Sequence, residues 1–294
     1  MLFNHLPLPP FWRHLLFIGL AAFTAVNAQA QSPAPATAVP TSTLERLQTT
    51  KTITLGVRNS AAPFASINAQ GQAAGFTWDL CKAVVNALSE TLQSPLEIKV
   101  VPVSLEESFT MLRDSKIDMQ CGSTTHTQER AQRVNFSYSL FISGIAVAYR
   151  TEDAQYANPD KYGRIGALKG STAAKIATIR AKRDNAATVV PLESYEQGIE
   201  WLKAGKIDTF AADGQLIPQD SEISVRRQQL TVEPYALMLP KDDEAFSKAV
   251  DSVLAAIMRG PLMDKLAKQH KLRVNFMTRD IWVHPDRTPA PPQF

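Results

Sequence analysis

Two seven-residue strings, Leu112-Arg-Asp-Ser-Lys-Ile-Asp118 and Leu202-Lys-Ala-Gly-Lys-Ile-Asp208, share Leu, Lys, Ile and Asp at the same places. Each ends a helical pattern and launches a short apolar strand, and each strand delivers polar residues: Ser123 and Thr125 in the first copy, Asp213 in the second. A helix-to-strand junction used twice points to two similar α/β units facing each other across a cleft. A chance match is the competing reading for a string of only seven residues. Around the first string the spacing predicts strands over 53–57, 96–103 and 117–120. It predicts a helix from Asp79, with Leu80, Ala83, Val84, Ala87 and Leu88 on one face, and another after Ser104, which has Glu107 three residues on as a capping box. Around the second it predicts strands over 164–168, 187–192 and 207–212, alternating with helices over 171–181 and 195–202. Alternation with short links means a parallel sheet wrapped by helices.

The remaining segments fit that plan. Folded structure is expected to begin with residues 44–47. Arg58 closes the first strand, and Gln70-Gly71 marks a hairpin tip. Extended stretches over 140–149 and 230–239 are expected to be the crossings between units. Phe246, Val250, Val253, Leu254 and Ile257 then form an amphipathic helix ended by Arg259-Gly260-Pro261, and 262–269 makes a last one. The tail after Thr278 is expected to lie on the surface or fray.

A chain of 294 residues with formal charge +3 and 45% hydrophobic content suits a globular protein of one or two domains. Its basic residues come in pairs such as Arg226-Arg227 rather than in stripes interleaved with aromatics, which argues against nucleic acid. Arg13 and His14 precede an apolar run over 15–26 and then Ala28-Gln29-Ala30, the pattern of an export leader cleaved after Ala30 or Ala28. The run is shorter than the ~20 apolar residues a membrane-spanning helix needs, and no cysteine follows it to carry a lipid. The expected address is the periplasm, with 31–43 as a disordered lead-in rich in Ala, Pro, Ser and Thr. The two cysteines, Cys81 in a helix and Cys121 at the end of a strand, both lie in the exported part, so a disulfide is expected, with two buried thiols as the alternative.

Chemistry concentrates in residues 118–137, Asp-Met-Gln-Cys-Gly-Ser-Thr-Thr-His-Thr-Gln-Glu-Arg-Ala-Gln-Arg-Val-Asn-Phe-Ser. A strand breaks at Gly122 into a turn of hydroxyls and free N–H groups, which favours an anion. Arg130 follows, and its planar guanidinium can grip a carboxylate through two parallel hydrogen bonds. The plain alternative is a helix cap with Arg130 in solvent.

The same stretch resembles the ligand loop of the periplasmic amino-acid-binding proteins of ABC importers, the extracellular solute-binding proteins of family 3. Cys121-Gly-Ser-Thr-Thr125 followed by Glu129-Arg130 is most similar to the glutamate/aspartate-binding branch, and the likeness runs over about 44–278. It implies a two-lobed α/β fold of the type II binding-protein kind, each lobe a central sheet flanked by helices, with two hinge crossings. The lobes would be 44–140 plus 238–294, and 141–237. It implies that Arg130, with Ser123 and Thr125, takes an amino acid's α-carboxylate, helped by Ser171 and Thr172 at a helix start. Asp213 would take the ammonium. Arg58 would read the side chain and attract a second carboxylate, and Tyr195 stands where that branch has a histidine. Leu105 and Ser108 depart from the branch, which has Ser and Arg there, so the side-chain end is less cationic. Glutamate, aspartate, their amides and other small dicarboxylates all fit.

The implied protein is a monomer that captures an amino acid and delivers it to a membrane permease, without metal or cofactor. No Gly-x-Ser-x-Gly or His-Glu-x-x-His occurs, and Gly166-Ala-Leu-Lys-Gly-Ser-Thr172 has its lysine before the glycine, against the phosphate-loop order. His126, His270 and His284 are scattered and expected at the surface. The alternatives are an enzyme on the same fold, of the periplasmic dehydratase kind, and a sensor with a degenerate pocket.

Overall fold

The computed structural model describes residues 42–156, 162–183, 186–226 and 228–294. The leader and most of the lead-in lie outside these residues. Ser42 opens the fold: its hydroxyl accepts the Glu45 N–H while the Glu45 carboxylate accepts the Ser42 N–H, starting α1 (Thr43–Thr50). β1 (Thr52–Arg58) follows, and the ribbon β2 (Ser60–Ala61), β3 (Ala65–Ile67) and β4 (Ala73–Ala74) turns at the expected hairpin tip. α2 (Phe76–Thr91) starts three residues before Asp79, because Phe76 and Thr77 are themselves buried, and it lays Leu80, Cys81, Val84 and Leu88 inward. Then come β5 (Glu97–Val103), α3 (Leu105–Arg113), β6 (Met119–Cys121), the single turn α4 (Gln128–Ala131) and β7 (Asn135–Ser143). The capping box from Ser104 to Glu107 forms, with Phe109 and Leu112 buried.

After Gly144 the chain enters a second sheet. Its elements are β8 (Ile145–Arg150), β9 (Arg164–Leu168), α5 (Thr172–Arg183), β10 (Thr188–Leu192), α6 (Tyr195–Lys203), β11 (Thr209–Asp213) and β12 (Ile223–Val225). β13 (Glu233–Leu239) returns to the first sheet, and α7 (Glu244–Arg259), α8 (Leu262–Gln269) and α9 (Phe276–Val283) follow. The strand orders are β5-β1-β6-β13-β7 and β10-β9-β11-β8-β12. Both have the same design: three parallel strands with the earliest of the three in the middle, then two more, each antiparallel to the strand before it in that order. The stretches expected as crossings are thus mostly strand, and the chain changes sheet between Ser143 and Ile145 and again before Glu233.

The repeated string has one structure in both places. Ser115 (φ 52°) and Gly205 (φ 66°) take the left-handed conformation that ends the helix. Lys116 and Ile117 N–H groups then go to the Met111 carbonyl, as Lys206 and Ile207 N–H groups go to that of Trp201. Asp118 accepts the Thr54 N–H at 2.7 Å and Asp208 the Arg164 N–H at 2.7 Å, each pinning the new strand to the middle one of the three parallel strands. Asp118 also pairs with Arg46. A serine in this conformation carries backbone strain of order 1–2 kcal/mol, so Ser115→Gly is expected to stabilise the protein by up to about 1 kcal/mol, the unfolded glycine's extra freedom taking back the rest. An unchanged or lowered denaturation midpoint would count against this.

The tail differs from expectation. Asn275 caps α9 by accepting the Thr278 N–H, the Thr278 hydroxyl accepts the Ile142 N–H at 3.0 Å, and the Trp282 ring N–H donates to the Leu140 carbonyl at 2.8 Å. Thr278, Ile281 and Trp282 are buried against β7, while Phe276 on the same short helix is exposed, so the apolar period is too brief to read from sequence. Among the described residues no helix is long and apolar enough to cross a membrane.

Candidate functional site

β6 ends at Cys121, and the next residues are held as an extended turn against β13. The Thr124 carbonyl accepts the Ala236 N–H at 3.0 Å, His126 N–H donates to the Pro234 carbonyl at 2.8 Å, and Thr125 bridges Tyr235. Thr127 caps α4 by accepting the Arg130 N–H. That single turn aims Arg130 inward, where it is buried, contrary to the solvated alternative. Its Nη1 donates to the Thr125 carbonyl at 2.9 Å and its Nη2 to the Gly170 carbonyl, in the turn before α5, at 3.0 Å. Burial pulls this guanidinium below its ordinary pKa, and the carboxylate of Glu233 supports its charge.

At the start of α5 the two hydroxyls divide their work. Ser171 Oγ accepts the Ala174 N–H and serves as a helix cap. Thr172 instead donates to Glu233 Oε2 at 2.8 Å, and Thr125 donates to that same oxygen at 2.7 Å. Thr231 donates to Glu233 Oε1 at 2.7 Å. Glu233 is fully buried and was not among the sequence candidates. The signal available was an acidic residue opening the otherwise apolar run Glu233-Pro-Tyr-Ala-Leu-Met-Leu239.

Asp213 ends β11, buried, with Oδ1 lacking a protein partner. Burial pushes its carboxyl up to about 8, with repulsion from Glu233 adding to the rise and Tyr235 and Arg130 opposing it. Tyr235 is fully buried, beside Asp213 and Ser143, and burial raises its hydroxyl well above the ordinary value. Arg58 ends β1, and its Nε has no partner. Tyr195, the first residue of α6, lies against Arg58. Burial lifts its hydroxyl to about 12, and the arginine opposes the rise. A Cβ on Gly122 would overlap Arg58 Cγ and approach Gln120 Nε2 to 2.7 Å, so glycine there leaves room for both side chains. Gln120 Nε2 and Ser123 Oγ are also buried without partners.

The eight candidates therefore fall into three places. Arg130, Thr125, Thr172 and the cap Ser171 surround Glu233. Asp213 lies with Tyr235. Arg58 and Tyr195 lie together, with Ser123 in the turn just beyond Gly122. Leu105 packs with Phe109 and Leu112, and the Ser108 hydroxyl is spent on the Ser104 carbonyl at 2.7 Å, so neither adds charge. Buried donors and acceptors normally find partners. A concentration of unpaired ones beside two guanidinium and two carboxyl groups offers hydrogen bonds and charge to a small polar ligand.

Further contacts join elements of the two sheets: Lys175 with Glu129, Ser60 with Glu196, and Arg273 Nη2 with the Gly214 carbonyl at 2.6 Å. A cavity of about 780 Å³ lined by Pro63, Ile199, Leu216, Ile217 and Pro218 shares Tyr195 with the cluster and otherwise lies outside it. Cys81 and Cys121 are joined, pinning α2 to the strand that leads into the turn. His126 departs from its expected surface place. It is partly buried and stacked on Phe136, and burial pulls its pKa down to about 4. His270 pairs with Asp79. Among the described residues no cluster of His, Cys, Asp and Glu could hold a metal.

The chain is similar to known proteins over most of its length. The chain is 26% identical over 253 residues to the glutamate/aspartate import solute-binding protein of Salmonella typhimurium, covering 82% of this chain and 81% of that one. It is 27% identical over 250 residues to the protein of the same description from Escherichia coli, covering 80% of each. The fold matches the crystal structure of an ancestral amino-acid-binding protein, a precursor of cyclohexadienyl dehydratase, with a TM-score of 0.68, 21% identity, and coverage of 78% of this chain and 99% of that one. Residues 53–272 match the model of the bacterial extracellular solute-binding proteins, family 3, and the chain belongs to that family.

Proposed function

We propose that this chain is the receptor of an ABC amino-acid importer: exported to the periplasm by a leader that is then cleaved, monomeric, and closing its two lobes, 44–140 plus 238–294 and 141–237, over one amino acid that it hands unchanged to a membrane permease. The observation that carries this reading is a buried guanidinium and a buried carboxyl group brought from the sides of different sheets, Arg130 and Asp213. An α-amino acid offers a carboxylate to the first and an ammonium to the second. Ligand contacts from both sides favour the closed form, because the open form offers only half of them. Arg58 then meets the side chain, which points to glutamate, aspartate or their amides, in keeping with the solutes named for the two relatives.

The test is calorimetric titration of refolded protein with glutamate, aspartate, glutamine, asparagine, arginine and histidine, with small-angle scattering to register closure and recovery of the ligand afterwards. Tight binding with compaction and unchanged ligand supports the receptor; chemical conversion of the ligand would replace it with an enzyme. Arg58→Asp is expected to weaken glutamate and aspartate by about tenfold or more beyond any loss for glutamine, since a carboxylate then faces a carboxylate. Equal losses for all three would show that Arg58 does not read the side chain.

A further inference from the structure

Arg130 hangs from α4, and a helix of one turn does not hold itself, because nucleating it costs more than its own hydrogen bonds return. Both ends of α4 are instead gripped by distant parts of the chain. At its end the Ala131 carbonyl accepts Lys241 Nζ at 2.8 Å. At its start the Gln128 N–H, one of the groups that a helix leaves without an internal partner, donates to the Pro292 carbonyl at 3.3 Å, and the Gln293 side-chain amide donates to Gln128 Oε1. Pro292, Gln293 and Phe294 also share a cavity of about 200 Å³ with α4 and with Lys175, whose pairing with Glu129 joins α4 to α5 of the second sheet.

The sequence suits residues 288–294 to this task. They leave from an anchored point, since Thr278 and Trp282 of α9 are bonded to β7. Thr288 starts the run close to the polyproline conformation, φ −54° and ψ 132°, and Pro289, Pro291 and Pro292 keep φ near that range. A segment stiffened by proline loses little freedom when it docks, and prolines bring carbonyls without N–H groups that would need partners of their own. The bonds to the Thr125 and Gly170 carbonyls set the plane of the Arg130 guanidinium, while the contacts on Gln128 hold the backbone from which it hangs.

We propose that residues 290–294 are a brace that positions Arg130, holding the turn that carries it so that the guanidinium meets a ligand's carboxylate in place. This rests on the receptor reading and adds to it a positioning segment outside the cluster of buried polar groups. The shared chemistry of the ligands sets the signature. Every amino acid presents the same α-carboxylate, so loss of the brace weakens all ligands by one factor, whatever their side chains. Gln128 is the exposed first residue of α4, and Thr127 before it is extended, φ −115° and ψ 157°. A proline at 128 therefore fits: it fixes the helical φ and has no N–H to leave unpaired, so local stiffness takes over from the brace.

The experiment compares the refolded full chain, a chain ended after Pro289, and that shortened chain carrying Gln128→Pro. Each is titrated calorimetrically with glutamate, aspartate, glutamine, asparagine, arginine and histidine, and its thermal midpoint is read without ligand. The shortened chain is expected to bind every amino acid that the full chain binds about three- to tenfold more weakly, by the same factor for each, with its midpoint within about 3 °C of the full chain's. Gln128→Pro is expected to restore most of that affinity. An affinity of the shortened chain within about twofold of the full chain's overturns the proposal, and so does a loss that Gln128→Pro leaves in place or that differs with the ligand's side chain; the receptor reading stands in each of these cases. If the full chain gives no heat with any of the six, that reading falls and the proposal with it. Should the shortened chain not fold, Pro291→Gly with Pro292→Gly in the full chain frees the segment without removing it and carries the same expectation of loss, an affinity within about twofold again overturning the proposal.

Discussion

Arg130→Ala weakens amino-acid binding by about 2–5 kcal/mol, the range for truncating one partner of a buried, hydrogen-bonded charge pair. In affinity this is a loss of roughly thirty-fold to several thousand-fold. The size follows from how the guanidinium is held. Bonds to the Thr125 and Gly170 carbonyls fix its plane before any ligand arrives, so little ordering is left to be done on binding. Truncation also leaves the Glu233 carboxylate facing the ligand's carboxylate without an intervening cation. Arg130→Lys keeps the charge but cannot satisfy both carbonyls and a carboxylate, so an intermediate loss is expected. Calorimetry on both variants checks this, and an affinity for Arg130→Ala within about threefold of wild type would take Arg130 out of the site.

Much of this arrangement was legible because its determinants are local. The string repeated at Leu112 and Leu202 codes a left-handed helix end and an Asp that reaches one neighbouring N–H, and both copies do the same work. Asp213 stands at a strand end and Arg130 in the single helical turn that follows one, within such local patterns. Glu233 was not legible. Its partners Thr125 and Thr172 lie 108 and 61 residues away in sequence, and only the return of β13 beside β7 brings them together. Ser171 is a local case. Its position at a helix start is readable from sequence, and there its hydroxyl oxygen accepts the Ala174 N–H while its own hydrogen stays available to donate. α9 was missed for another reason: one face of an eight-residue helix is apolar toward β7 while exposed Phe276 and Val283 blur the period.

Removing the disulfide, as Cys81→Ala with Cys121→Ala, destabilises the protein by about 4 kcal/mol. The bond closes a span of 40 residues, for which the chain-entropy account gives about this value through the freedom returned to the unfolded chain. For a domain of this size the thermal midpoint should fall by about 8–15 °C. Both cysteines are fully buried in the main core, so alanine leaves small voids but no stranded hydroxyl, which is why serine is the poorer choice. Binding is expected to change much less than stability. Gly122 to Thr125 are held from the other side by the Thr124 and His126 bonds to β13, and these survive without the disulfide. Thermal unfolding and calorimetry on one preparation of the double variant separate the two effects. A midpoint within about 2 °C of wild type would show that the bond adds nothing to stability. A large loss of affinity in a folded double variant would instead make it part of the machinery that positions the ligand turn.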